Sequence, residues 1–320
     1  MRQAFRALGA ILVIGIGCMN ASAQTWPEKP VRMIVPFPPG GGTDYMGRLA
    51  AQFLSKSLGQ QVFVENKGGA GGSAGLLALK QAAPDGYTLA TTSEGPIVNN
   101  PAIYPSLRYD PLKDFTYVAL TTRNPVVLVV NPSVEARSIK DLIELAKTKS
   151  LAYSSGGIGN YGHLAGELLA SMTGAKFAHT PYQGTGPATV ALLSGEVQFM
   201  FSGVDTVIEH IRAGKMIPLG IGETKRLEVL PDVPTIAETV PGYESGIWLG
   251  VIAPAGMPQN IVDKLEAEIT KSFKDPETVK MLSARGQIAS PLSSKDFTAM
   301  VNREIERWHP VIKKAGIKAE

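Results

Sequence analysis

Residues 31–44 read Val31-Arg32-Met33-Ile34-Val35-Pro36-Phe37-Pro38-Pro39-Gly40-Gly41-Gly42-Thr43-Asp44. The first five form an apolar, β-branched run, the pattern of a short buried strand. Three prolines and three glycines then force a loop. Thr43 or Asp44 is placed to cap a helix whose Met46, Leu49, Ala50, Phe53 and Leu54 fall on one face. Moving outward, Val62 to Val64 reads as a second strand. Gly68-Gly69-Ala70-Gly71-Gly72-Ser73 is another glycine loop, before a helix that stops ahead of Pro84, and Tyr87 to Thr91 is a third strand. Strand, glycine loop, helix, strand is the grammar of a parallel sheet covered by helices, an α/β fold.

The grammar restarts after Arg123. Val126 to Val130 is strongly strand-like, and Ser138 with Asp141 starts a helix carrying Leu142, Leu145 and Ala146. Leu151 to Ser155 is a strand. Gly156-Gly157-Ile158-Gly159 opens a helix with Leu164, Ala165, Leu168, Leu169 and Met172, ended by Gly174. Pro187 suits the first turn of a short helix that Gly195 ends. Val197 to Phe201 is a strand, Asp205 stands where the next helix begins, and Ile247 to Ile252 is strand-like again. Two helical stripes follow, Ile261, Val262, Leu265, Ile269, Phe273 and then Phe297, Met300, Val301, Ile305, Trp308, Ile312, the second bent at Pro310. These last helices bring no strands of their own, so they must pack on the first sheet. The expectation is two α/β lobes with chain crossings near 120–126 and 244–252.

Composition narrows the function. The 320 residues are 44% hydrophobic and 18% charged, enough for real cores. With 31 basic against 28 acidic residues, the chain lacks the basic excess of a nucleic-acid binder. Glycine is the outlier, 34 of 320 residues, against about 7% on average. Residues 1–23 read as a secretory signal: Arg2 and Arg6, an apolar run from Leu8 to Met19, and Ala21-Ser22-Ala23 before a mature start at Gln24. Gly15-Ile16-Gly17 ahead of Cys18 is a poor lipoprotein signal. Cleavage removes the two arginines and Cys18, the single cysteine, leaving 29 basic against 28 acidic residues. No later segment reaches the ~18 apolar residues of a membrane helix. The expected location is the periplasm.

Two motif matches fail their context. Gly157-Ile158-Gly159-Asn160-Tyr161-Gly162 fits the dinucleotide fingerprint, but no acid follows at the ribose position. Gly71-Gly72-Ser73-Ala74-Gly75 fits a nucleophile elbow, yet eight residues separate Val64 from Ser73, and no histidine has a catalytic context. HExxH, a Walker loop and paired-histidine spacing are absent, so neither cofactor nor metal is expected. What recurs is a glycine loop delivering a helix N-terminus, at 38–44, 68–73, 155–160 and 184–187. Such termini carry unpaired N–H groups and partial positive charge, and glycine lets an anion approach them. Two lobes facing each other in this way would enclose a carboxylate without Lys or Arg.

The residues that carry a family resemblance run in order through the chain. They are Trp26-Pro27-Glu28-Lys29-Pro30-Val31-Arg32, Val35 to Asp44, Val64-Glu65-Asn66-Lys67-Gly68-Gly69-Ala70-Gly71-Gly72, and Pro84-Asp85-Gly86-Tyr87-Thr88-Leu89. Pro181-Tyr182-Gln183-Gly184-Thr185-Gly186-Pro187-Ala188, Leu230-Pro231-Asp232-Val233-Pro234-Thr235 and Ala253-Pro254-Ala255-Gly256-Met257-Pro258 continue it. The set resembles the periplasmic solute receptors of tripartite tricarboxylate transporters, the Bug proteins.

That resemblance implies a two-lobe periplasmic-binding-protein (Venus flytrap) architecture, each lobe a mainly parallel sheet covered by helices. Lobe 1 is then 24–123 plus 246–320, and lobe 2 is 124–245. It implies a monomer that closes on a small organic acid and delivers it to membrane transporter subunits. One carboxylate would be gripped by Phe37, Pro38, Gly41, Gly42, Thr43 and Asp44 from one lobe. Ser154, Ser155, Gly156, Gly157 and Asn160 would face them from the other. The far end of the ligand would be read by Thr92, Ser93, Glu94, His163, Thr185, Ser202 and Asp205. Gln183 departs from the family, where that position is often basic. Glu94, if it lines the cleft as an anion, would repel a second carboxylate and favour an ammonium, amide or heterocyclic N–H. Two rival readings are a secreted serine hydrolase built on Ser73 and a sensory receptor using the same clamshell.

Overall fold

The computed structural model describes residues 26–182 and 184–318. The expected signal sequence with its cleavage point, and Gln183, lie outside the described residues.

Three parallel strands open the fold, β1 (Val31–Val35), β2 (Val62–Asn66) and β3 (Thr88–Ser93), in the spatial order β2-β1-β3. Helices α1 (Gly42–Leu58) and α2 (Ser73–Lys80) make the crossovers. Every residue of β1 except Arg32 is buried, because helices cover both faces of the sheet. A π-turn over Gly95–Asn99 and the short α3 (Asn100–Ile103) then lead to β4 (Phe115–Val130).

β4 is 16 residues long and belongs to both halves of the molecule. Its first part pairs antiparallel with β9 (Gly246–Pro254) and β10 (Ile288–Leu292). Its last residues, Val126 to Val130, pair antiparallel with β7 (Phe199–Gly203) and β8 (Ile217–Ile221). Between them the second half runs α4 (Ile139–Thr148), β5 (Leu151–Ser155), α5 (Tyr161–Thr173), β6 (Phe177–Pro181), α6 (Thr185–Ser194) and α7 (Val204–Arg212), the last following β7. β7, β5 and β6 are parallel neighbours. The chain returns through β9 to α8 (Gln259–Lys274), α9 (Pro276–Ser283), β10 and α10 (Ser294–Lys314). Each half therefore has a parallel core, and the strands that join the halves run antiparallel.

The late helices pack as their stripes require. Leu265, Ile269 and Phe273 of α8 share a core with Met46, Leu49 and Leu54 of α1. Burying each such side chain is worth about 1.5–3 kcal/mol relative to exposure. Phe297, Val301 and Ile312 of α10 join a second core that reaches Tyr153 and Phe199 in the other half. Ser138 caps α4 by accepting from the Asp141 N–H at 3.1 Å.

Three local expectations need correction. Helix α1 begins at Gly42, with Gly41 as an N-cap that has no side chain to offer, rather than with a Thr43 or Asp44 cap. The C-terminal segment does bring a strand, β10, whose alternation is too short to stand out between two strong helical stripes. β4 starts eleven residues before its apolar stretch, because its first part is held by pairing to β9 rather than by pattern. Helix α10 continues through Pro310, the position of the expected bend.

Candidate functional site

Between the halves lies a cleft of about 700 Å³. It opens at the carboxyl ends of β1, β3, β5 and β7, where helices begin and backbone N–H groups face outward. Its floor comes from the joining strands, through Asn124 of β4 and Ile247 and Leu249 of β9.

Four helices present their first turns to this space. Gly42 and Thr43 come from α1, Tyr161 from α5, Thr185 and Gly186 from α6, and Asp205 and Thr206 from α7. The N-caps of α1, α6 and α7 are Gly41, Gly184 and Gly203, none with a side-chain cap, so their first-turn N–H groups are left for another acceptor. Asn160 caps α5 by accepting from the Gly162 N–H at 3.0 Å.

The 37–43 loop is clamped from behind by Asp44. Its carboxylate accepts from the Gly40 N–H at 2.9 Å, from Asn66 at 2.7 Å and from Arg48 at 3.0 Å. Asn66 also donates to the Phe37 carbonyl at 3.0 Å. Burial alone would raise the Asp44 carboxyl, but the hydrogen bonds from Arg48, Asn66 and Gly40 outweigh it and hold it below the usual range. Asp44 thus supports the loop rather than lining the cleft.

The facing loop is built on two stacked imidazoles. The rings of His163 and His179 lie 3.7 Å apart and 5° from parallel. His163 Nδ1 accepts from the Gly159 N–H at 3.0 Å, and His179 Nε2 shares a 2.7 Å hydrogen bond with Ser155 Oγ. Burial pushes His163 down to about 3, with His179 adding to the effect, and His179 down to about 4. Both rings are therefore neutral at physiological pH, and the Gly159 bond requires an unprotonated Nδ1 on His163.

Of the sequence-derived candidates, Phe37, Pro38, Gly41, Gly42, Thr43, Ser93, Glu94, Gly156, Asn160, Thr185 and Asp205 line the cleft. Asp44, Thr92, Ser154, Ser155, Gly157, His163 and Ser202 stand behind it. Ser154 Oγ donates to the Ala188 carbonyl at 3.0 Å, and Ser155 supports the Gly157 turn. Thr92 and Ser202 are wholly buried in β3 and β7.

Several lining residues escaped sequence reasoning. Asn124, Ile247 and Leu249 come from the expected crossings, and a crossing necessarily lies under the cleft, so that signal was present. Arg285 had none. It sits at the rim with its guanidinium 4.3 Å from the Tyr45 ring centroid. The expectation of a site free of Lys and Arg is corrected by it.

Two acids face the cleft, Glu94 buried and Asp205 half-buried. Burial pushes the Asp205 carboxyl up, against hydrogen bonds from Gln287 and Thr206 and the charge of Arg285. Glu94 is 7% exposed, and burial pushes its carboxyl up to about 8. An ionised Glu94, the premise of the expected ammonium preference, is therefore not its resting form at neutral pH.

Ser73 is no nucleophile elbow. Its hydroxyl accepts from Asn100 at 2.8 Å and lies 3.4 Å from the Tyr109 hydroxyl, neither of them a base at neutral pH. Among the described residues no group of three or more His, Cys, Asp or Glu could hold a metal, and no helix is long and apolar enough to cross a membrane.

Comparison with known proteins gives one consistent picture. The family described as tripartite tricarboxylate transporter family receptor matches residues 46–317. Protein BugT of Bordetella pertussis is 38% identical over 321 residues, covering 96% of this chain and 98% of its own. An R. palustris protein solved with adipate superposes with a TM-score of 0.85 at 34% identity, covering 92% of this chain and 100% of that one. MatC from Rhodopseudomonas palustris with bound malate gives a TM-score of 0.79 at 32% identity, covering 90% of this chain and 100% of that one.

Proposed function

The chain belongs to the tripartite tricarboxylate transporter receptor family, a family of periplasmic solute receptors and not of enzymes, and from that premise we propose that its cleft binds a small organic dicarboxylate. The single observation that carries this is the convergence of four helix N-termini on one cleft, three of them with glycine N-caps. The adipate and malate bound by two relatives support the ligand class.

One carboxylate is held by the backbone of Gly41, Gly42 and Thr43 facing Gly156, Asn160 and Thr185, with Phe37 and Pro38 walling it from solvent. Ser93, Glu94 and Asp205 stand where the rest of the ligand lies. The halves act as lobes, 26–123 with 246–318 against 124–245, and ligand contacts to both favour the closed form. The receptor works as a monomer, after cleavage behind Ala23, and passes its ligand to the membrane subunits.

A melting-temperature screen of the purified mature protein tests this. Straight-chain dicarboxylates from malonate to adipate, and malate, are run beside amino acids and neutral isosteres. A bound acid in large excess raises the melting temperature by mass action. A shift produced by neutral compounds and by no carboxylate would overturn the reading.

A further inference from the structure

Glu94 directly follows β3, and its carboxyl is buried between the main cleft and a small inner void lined also by Asn99, Tyr161 and Trp308. Its one described protein donor outside its own residue is the Trp248 N–H, at a long 3.4 Å. Of the arginines of this region, Arg123 pairs with Glu244 at 3.1 Å and Arg307 with Glu304 at 3.7 Å, while Arg285 lies at the cleft rim over the Tyr45 ring. A buried carboxyl without a cation avoids ionisation and keeps its proton. A neutral carboxylic acid has an O–H to donate, and two directions are open to it: outward to a ligand in the main cleft, or inward to Asn99 Oδ1, which has no other partner and lines the same inner void.

We propose that Glu94, in its neutral form, donates its O–H to the second carboxylate of the ligand, so that recognition of a dicarboxylate is linked to a proton. The inference rests on the organic-acid reading above and names what reads the ligand's far end. The proton stays on Glu94 or is shared with the ligand oxygen, and no covalent bond changes.

The charged and titratable groups around Glu94 are consistent with this. From α10, Glu304 raises it further, Arg307 is engaged with Glu304, and the His309 ring is bonded to the Val98 carbonyl at 2.9 Å. From β9 comes only the Trp248 backbone N–H, which lowers it slightly. From the other half, Glu223 and Asp205 are themselves pushed up by burial, and Tyr161 is pushed up by burial and the Asp205 charge. With the free value at about 8, the donor form prevails at neutral pH. Above that, Glu94 becomes an anion and faces the ligand as a like charge.

The test is calorimetric binding of adipate, succinate and malate to the full mature protein from pH 6 to 9.5. The expected affinity is flat to about pH 8 and then falls by up to about tenfold per pH unit, the slope of one linked proton. At pH 8.5, binding takes up a fraction of a proton per ligand, read from the dependence of the heat on buffer ionisation. Glu94→Gln keeps a neutral donor and should bind with a flat profile and no proton uptake. A flat wild-type profile, an affinity that rises with pH, or a preference for cationic-headed ligands that Glu94→Gln abolishes would each overturn the proposal. Binding of none of the three acids at any pH, with no acid active in the melting screen, would overturn the organic-acid reading itself and this one with it.

Discussion

Gln287 donates its side-chain amide to Asp205 Oδ2 at 3.1 Å, tying the segment before β10 to the first turn of α7. The two residues belong to different halves, and in the proposed closure this bond is one that holds them together. Gln287 is buried, at 1% exposure, and Asp205 is half-buried at the cleft. The Gln287→Ala substitution should therefore weaken ligand binding by roughly fivefold, about 1 kcal/mol, through faster release. Stopped-flow dissociation of a bound dicarboxylate checks this, and an unchanged off-rate would show that the bond does not contribute to closure.

Asp44 makes a prediction about stability. Its carboxylate ties Gly40, Asn66 and Arg48 together behind the ligand loop. Replacing it with Ala removes the acceptor shared by three partly exposed donors, and the expected cost is about 0.5–1.5 kcal/mol, seen as a lower urea midpoint. The folded-state value is depressed, so the stabilisation is present above the unfolded value near 4 and is lost as pH falls through the folded one. Asp44→Asn should flatten the acid side of the stability curve.

The stacked imidazoles predict a second pH dependence, at higher pH. Both rings are buried and neutral, with folded values of about 3 and about 4, while unfolded histidine titrates near 6.5. Below about 6.5 the unfolded chain binds protons that the folded chain does not. Stability therefore falls as pH drops from about 6.5 towards 4. Protonating His163 at Nδ1 would also break the bond from Gly159 and free the loop that faces the ligand. Urea midpoints between pH 7.5 and 4.5 should show a steeper loss in wild type than in His179→Gln. Equal slopes would mean that the pair titrates alike in both states.

Gly159 carries a sharper steric prediction. Its φ is +74°, and an added Cβ would run into Ile103 Cδ1 of the other half. Gly159→Ala should weaken binding through this clash, while the left-handed φ separately lowers the stability of the fold by on the order of 1 kcal/mol with or without ligand. The Ile103→Ala substitution should restore part of the loss by removing the clash. Calorimetry on the single and double variants measures both.

What could be read in advance divides by the range of the cause. The unit from Val31 through Gly42 to Leu54 is written locally, in β-branched residues, then proline and glycine, then an apolar stripe. The same holds for Leu151 through Gly159 to Leu169. The first part of β4 is not written locally, because Thr116 to Arg123 become a strand by pairing with β9, more than a hundred residues later. The candidate site follows the same division. Loops that begin helices were visible as glycine runs, whereas Arg285 reaches the rim only through the packing of α9 and β10. The roles of Asp44 and His163 were half visible. Their positions next to the loops were legible, but whether a polar side chain faces a ligand or braces a backbone depends on rotamers and partners that spacing does not encode.

The shared strand has a mechanical consequence. A pin joint concentrates rotation in one or two residues, whereas β4 and β9 pass between the halves as a paired ribbon that behaves as a flexure. Its compliance is graded along its length: the ladder slips register between Tyr117 and Ala119 and again between Leu120 and Thr122. Its softest rung is the last, where Pro125, which has no N–H to donate, stands opposite Gly246, which has no side chain to pack. Rotation about such a ribbon would be spread along both strands as twist rather than focused at one residue, with the Pro125–Gly246 rung opposing it least.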